Sequence, residues 1–267
     1  MKLGEIRKCL EEVAPPSLQE SYDNSGLIVG NDDMEINRAL ICLDSTEDIL
    51  AEAMEKDCNL IIAHHPIVFK GLKRFNGSNY VERVVMKAIK NDIAIYAVHT
   101  NLDNVLKNGV NEKIADKLGL QNTEVLAPKA GVMKKLVVFA PTQNSEAIRK
   151  AMGDAGAGKL GDYDHCSFET EGTGRFRGNE NSNPFVGSPN EIHSEREVRI
   201  EGVFHSHLKS TVLRAMLDAH PYEEPAYDIF SSENTDRFTG AGLIGELHEA
   251  MDLRSFLSNL KGNMNTE

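Results

Sequence analysis

Two apolar runs constrain this chain most. Leu60-Ile61-Ile62-Ala63 gives way directly to His64-His65-Pro66, and Ile93-Ala94-Ile95-Tyr96-Ala97-Val98 gives way to His99-Thr100-Asn101-Leu102-Asp103. Runs without polar alternation suit parallel strands covered on both faces. In an open α/β sheet, ligands bind outside the carboxyl ends of such strands. The order of residues therefore brings two histidines, then a third histidine and an aspartate, to one edge of one sheet. Imidazole and carboxylate together make a metal-site donor set.

Neighbouring residues on a strand point to opposite faces, and Pro66 biases His65 toward extended backbone. Adjacent imidazoles in that arrangement chelate one ion poorly but can serve two ions side by side. Paired ions roughly 3.5–4 Å apart polarise a substrate oxygen and lower the pKa of water, which is hydrolytic chemistry. Asp103 supplies a carboxylate, with a bridging role open to it. His99 is either a ligand or an orienting group behind one. The bland alternative is that His-His-Pro ends a strand and Asp103 caps a helix.

The net charge of −12 over 267 residues argues against a broad surface for nucleic-acid phosphates. A small anionic or nucleotide substrate held by metal or local lysines stays open. Cys9, Cys42, Cys58 and Cys166 show no CxxC spacing and read as reduced thiols. The N-terminus lacks the apolar core of a signal peptide, and no apolar run reaches spanning length, so no membrane association and a cytoplasmic location are expected.

Along the chain, helices are predicted over 3–13, 47–56, 81–90 and 110–118, the last ended by Gly119. Strands are predicted at 27–29 and 39–43, with Asp44 just beyond the second. Strand and helix alternate, so the first half reads as a parallel-rich α/β layer. The pattern then changes: strand 135–140, helix 145–155, a polar stretch at 156–198 with short strand-like pieces, strand 198–204, helix 208–219, strand 226–230. That order is close to β-α-β-β-α-β, the ferredoxin-like unit. A strand at 242–247 and a helix at 253–260 close the chain and bury too little to stand alone. The expected division is an α/β half at 1–128, a ferredoxin-like α+β insert at 129–235, and the incomplete start of a second α/β half at 236–267.

Several signals read as structure. Gly153–Lys159 has P-loop spacing, but Leu160 stands where Ser or Thr is required and a helix precedes it. Gly240-Ala-Gly242-Leu-Ile-Gly245 lacks room for a dinucleotide-binding unit. His205-Ser-His207 reads as a turn or cap, and Glu223-Glu224 as an exposed turn between prolines. Lys70, Lys73 and Arg74 either hold an anion or form a solvated loop.

Longer motifs carry a resemblance. NSGLIVG at 24–30, AHHPIVFKGLKRF at 63–75 and YAVHTNLDNVLKNGVNEKIADKLGL at 96–120 resemble the GTP cyclohydrolase 1 type 2 homologues, the NGG1-interacting-factor-like dinuclear metal proteins. GAGKLGDYDHCSFETEGTGRFR at 156–177 and HPYEEPAYDIF at 220–230 are similar to the insert of the longer bacterial members, a fold akin to PII and CutA proteins. The resemblance implies His64, His65 and Asp103 as metal ligands; the reading of the residues themselves places His99 and Asp44 behind them. The resemblance also implies two divalent ions per site, a hydrolase-like centre acting on GTP or a related nucleotide or ring amide, and a toroidal homohexamer. Zinc, iron and manganese suit the donors alike. A non-enzymatic metal-binding regulator or an inactive remnant is the alternative. In the family a His and a Glu from the C-terminal half complete the site; His248 and Glu249 do not match that motif. A truncated chain is therefore expected, with weaker metal binding and an exposed apolar edge.

Overall fold

The computed structural model describes residues 1–265. The chain divides into two compact units, Met1–Lys129 with Arg237–Glu267, and Ala130–Asp236.

In the first unit, α1 (Leu3–Val13) precedes β1 (Gly26–Val29), β2 (Ala39–Cys42), α2 (Glu47–Glu55), β3 (Leu60–Ala63), α3 (Tyr80–Lys90), β4 (Ala94–Ala97), a one-turn helix α4 (Thr100–Asp103) and α5 (Val110–Leu118). The helix starts follow from side chains: Thr46 accepts from the Ile49 amide and Asn79 from that of Glu82, each satisfying a donor the helix leaves free. Gly119 adopts φ 67°, the left-handed turn that ends α5. The sheet order is β1-β4-β3-β2; β2, β3 and β4 run parallel, and β1 is antiparallel to β4.

Both faces of β3 and β4 are covered, which explains their unbroken apolar runs. Ile61, Ala63 and Ile95 pack among Leu50, Val84 and Ala88 of α2 and α3. Leu60, Ala94 and Tyr96 pack with Leu3, Ile6 and Leu10 of α1. Leu60 lies opposite Ala94 and Ala63 opposite Ala97, so the two strands end level. That register aligns the two polar clusters that follow them.

β5 (Gln121–Pro128) was not legible as a strand. It has one buried side chain, Val125, and its partner is distant in sequence: β10 (Gly240–Glu246) pairs with it antiparallel. α8 (Leu253–Met264) lies against α5. The last segment thus docks on the first unit.

The second unit runs β6 (Met133–Pro141), α6 (Ser145–Asp154), β7 (Phe168–Phe176), β8 (His193–His205), α7 (Lys209–Ala219) and β9 (Tyr227–Ser231). Its sheet, β7-β8-β6-β9, is wholly antiparallel. This is the ferredoxin-like arrangement. One sheet face carries Leu136, Val138, Ile200 and Phe204 against Ile148, Met152, Val212 and Met216 of the two helices. β7 and the first half of β8 lie within the stretch that reads as polar and irregular: β7 is mostly exposed, and the start of β8 is polar in sequence. The glycine run at 153–158 begins in the last turn of α6 and runs past its end, and the Gly240–Gly245 motif lies within β10. His205 ends β8 and opens a 3-10 turn that contains His207.

Candidate metal centre

His64 and His65 follow Ala63 in a bend where regular strand geometry has ended, though their amides still bond to the neighbouring chain segment. The His64 amide donates to the Cys42 carbonyl at 3.1 Å, and the His65 amide to that of Leu43 at 2.9 Å. The Val98 amide donates to the Ala63 carbonyl at 2.9 Å, holding the end of β4 alongside. Three imidazoles gather there. Ring centroids are 5.0 Å apart for His64 and His65, 5.3 Å for His64 and His99, and 5.5 Å for His65 and His99. One ring nitrogen from each lies within 4.8 Å of the others, a group that can hold a metal ion. The neighbouring histidines, expected to diverge, face one pocket because strand geometry ends at Ala63.

Asp103 belongs to the same place. Its Oδ1 is 3.8 Å from His64 Nε2. That is too long for a hydrogen bond, yet two ligand bonds of about 2 Å each span such a gap. The donor set therefore fits a divalent ion in kind and in spacing.

Two of the rings are aimed by carboxylates. His65 Nδ1 lies 2.8 Å from Asp44 Oδ1, and His99 Nδ1 lies 2.8 Å from Asp23 Oδ1. A carboxylate only accepts, so Nδ1 donates in each case and Nε2 keeps its lone pair for a ligand. The Asp23 side chain has no exposed surface. Burial alone would raise its pKa. Hydrogen bonds from His99, Thr100, Ser25 and the Asn24 amide outweigh it and hold the carboxyl at about 2. Asp23 stays charged and its His99 contact persists.

The loop carrying His99 and Asp103 is fastened by buried amides. Asn101 Nδ2 donates to the Ala14 carbonyl at 2.7 Å, and Asn104 Nδ2 to the Leu18 carbonyl at 2.8 Å. Asn111 Nδ2 donates to the Asp103 carbonyl at 2.9 Å. The ring of Phe69, 6.2 Å from His99, walls one side. Lys70, Lys73 and Arg74 are exposed and form no ion pair among the described residues.

The structure thus brings together His64, His65, His99, Asp103 and Asp44. It also adds Asp23, which reads in sequence only as a turn residue. The available signal was a turn rich in Asp, Asn and Ser just before β1, a strand that pairs with β4. The four cysteines are unpaired. No described helix is long and apolar enough to cross a membrane.

Comparison with known proteins finds relatives along nearly the whole chain. The sequence model for Duf34/NIF3 (NGG1p interacting factor 3) matches residues 1–267. The chain is 43% identical over 257 residues to the GTP cyclohydrolase 1 type 2 homolog of Halalkalibacterium halodurans, covering 96% of this chain and 69% of that protein. It is 40% identical over 261 residues to the protein of the same name from Bacillus subtilis, covering 97% and 70%. The crystal structure of a Bacillus cereus protein related to NIF3 superposes with a TM-score of 0.83 at 43% identity, covering 99% of this chain and 71% of that one. The chain belongs to the Duf34/NIF3 family.

Proposed function

We propose that this chain is a divalent-metal-binding protein with a dinuclear, hydrolase-like centre acting on GTP or a related nucleotide or ring amide. The observation that carries the reading is the convergence of His64, His65 and His99 beside Asp103, with two of the rings aimed by carboxylates. His64, His65 and Asp103 are the ligands. His99, placed behind them on sequence grounds, joins them through its free Nε2, with Asp23 as its orienting carboxylate. Asp44 does the same for His65. Ions bound there supply Lewis acidity toward water and a substrate oxygen. The chain's own part is to fix the ring tautomers and to hold Asp103 at the rim through the buried Asn101 and Asn104.

The test is metal content by elemental analysis of the chain and of His65→Ala, with GTP turnover in manganese, zinc or ferrous iron. Loss of metal and turnover in His65→Ala supports the reading; equal metal content in both proteins overturns it. A second reading, a metal-binding regulator without turnover, is favoured by the separate compact unit at Ala130–Asp236. Thermal stabilisation by the ions without product from any nucleotide would select it. Assembly as a homo-oligomer is consistent with Ile41 in the sheet-edge strand β2 and Leu43 just beyond it, 78% and 59% exposed. Light scattering on the purified chain decides that.

A further inference from the structure

The second unit carries a cleft that the metal centre does not use. It has a volume of about 620 Å³, within the usual range for small-molecule sites of about 300–1,000 Å³. Its floor is the sheet face that α6 and α7 leave uncovered. On that face Glu197 and Arg199 of β8 alternate with the core residues Val198 and Ile200, and Gly172 of β7 lies opposite Glu197. The walls are the rings of Phe176, Phe185 and Tyr222. The Phe176 and Tyr222 centroids are 5.9 Å apart, and those of Phe185 and Tyr222 are 6.3 Å apart.

Glu197 is the informative residue. It is only 9% exposed, and carboxylates that buried normally have all their acceptors occupied. Tyr222 Oη donates to Oε1 at 3.0 Å. Oε2 has no hydrogen-bond donor among the described residues. Room for that oxygen depends on a glycine: a Cβ at Gly174 would lie 2.0 Å from it. Burial, then the Glu197 carboxylate, pushes the Tyr222 phenol well above its ordinary value, so Tyr222 remains a donor. The site thus offers a carboxylate acceptor beside mutually tilted aromatic rings, with both arginines and the carboxylates of Glu171, Glu223 and Glu224 in its lining. Arg199 shares its charge with Glu201 at 2.7 Å, whereas Arg177 lines the cleft and forms no ion pair among the described residues.

Aromatic walls select a flat ring. A buried acceptor selects adjacent N–H donors on that ring. Arg177, which no carboxylate pairs among the described residues although Glu171, Glu223 and Glu224 also line the cleft, offers a counter-charge to an anionic substituent. We propose that this cleft binds a planar heterocycle of the 2-amino-4-oxo type, the guanine edge, carrying a phosphate, with Glu197 accepting its ring N–H and amino group. Adenine presents no such donor pair and is discriminated against, because its ring nitrogen would face the carboxylate with a lone pair. The proposal is independent of the metal centre.

The probe is guanosine 5′-monophosphate, titrated calorimetrically into the full chain in excess EDTA, which removes any contribution from bound ions. Saturable binding is expected, weakened at least tenfold by Glu197→Gln and by Phe185→Ala, with Arg177→Ala weakening the nucleotide more than free guanosine. Adenosine 5′-monophosphate should bind at least tenfold more weakly. Phe185 lies on a half-exposed loop, so its variant keeps the test valid if Glu197→Gln misfolds. Absence of saturable binding overturns the proposal. So does binding that survives both substitutions, or equal affinity for the two nucleotides.

Discussion

The Asp23 carboxylate lies 2.8 Å from His99 Nδ1 and is itself fully enclosed. It also accepts from the Thr100 amide at 3.1 Å and Ser25 Oγ at 2.8 Å. One side chain thus ties the turn before β1 to the loop after β4. Asp23→Ala should lower metal affinity by about 10–100-fold, the usual cost of losing the group that orients a ligand histidine. Competition titration with a chromogenic chelator measures it. The carboxyl is held at about 2 against an ordinary 3.8. Its folded pKa lies below its unfolded one, so its stabilisation is present above about pH 4 and is lost as pH falls toward 2. An Asp23→Asn variant should lose that part of the acid-unfolding curve.

Asp44 performs the same service for His65 from a more open position, 57% exposed beside a ring 45% exposed. Water can replace part of its role. Asp44→Ala should therefore weaken metal binding by about tenfold, at the lower end of effects for such partners, and less than Asp23→Ala. The same titration ranks the two; the reverse order would contradict the burial argument.

His220 is buried in the second unit, with Nε2 donating to the Phe139 carbonyl at 3.0 Å and Nδ1 accepting from the Tyr222 amide at 3.1 Å. Those partners fix one neutral tautomer, since a proton on Nδ1 would oppose the Tyr222 donor. Burial lowers its pKa below 6.5, outweighing the Phe139 carbonyl and the Glu197 charge. The unfolded chain takes up the proton first. Stability from this group is therefore complete above about pH 6.5 and declines as pH falls below it. Thermal melts of the chain and of His220→Gln between pH 5 and pH 8 should converge toward the acid end.

Gly109 precedes α5, and a Cβ there would lie 1.8 Å from the Val105 carbonyl oxygen. The contact is with backbone, which cannot rotate away. Gly109→Ala should cost about 1–3 kcal/mol, as for other overpacked sites, read by chemical denaturation. Because the displaced loop adjoins Asp103, metal affinity should fall too.

Phe204 is 1% exposed at the centre of the second unit's core. Phe204→Ala should destabilise that unit by about 3–5 kcal/mol. Hydrogen exchange should show the loss in β6 and β8.

The sequence by itself determined the elements whose chemistry is local or periodic. Apolar runs over Leu60–Ala63 and Ala94–Ala97 marked strands covered on both faces, and the residues after them marked the sheet edge that holds the histidines. Gly119 marked a helix end, and the order of the middle elements announced the ferredoxin-like unit. β5 and most of β7 were hidden, because exposed strands are specified by distant partners and not by their own burial pattern. Tertiary structure alone decided the company each histidine keeps. His99 and Asp23 are separated by 76 positions and meet only because β1 pairs with β4. Likewise, Oε2 of Glu197 is left open by a glycine on the neighbouring strand. Periodicity reports which way a side chain faces; what stands opposite depends on strand pairing, and pairing is a property of the folded chain.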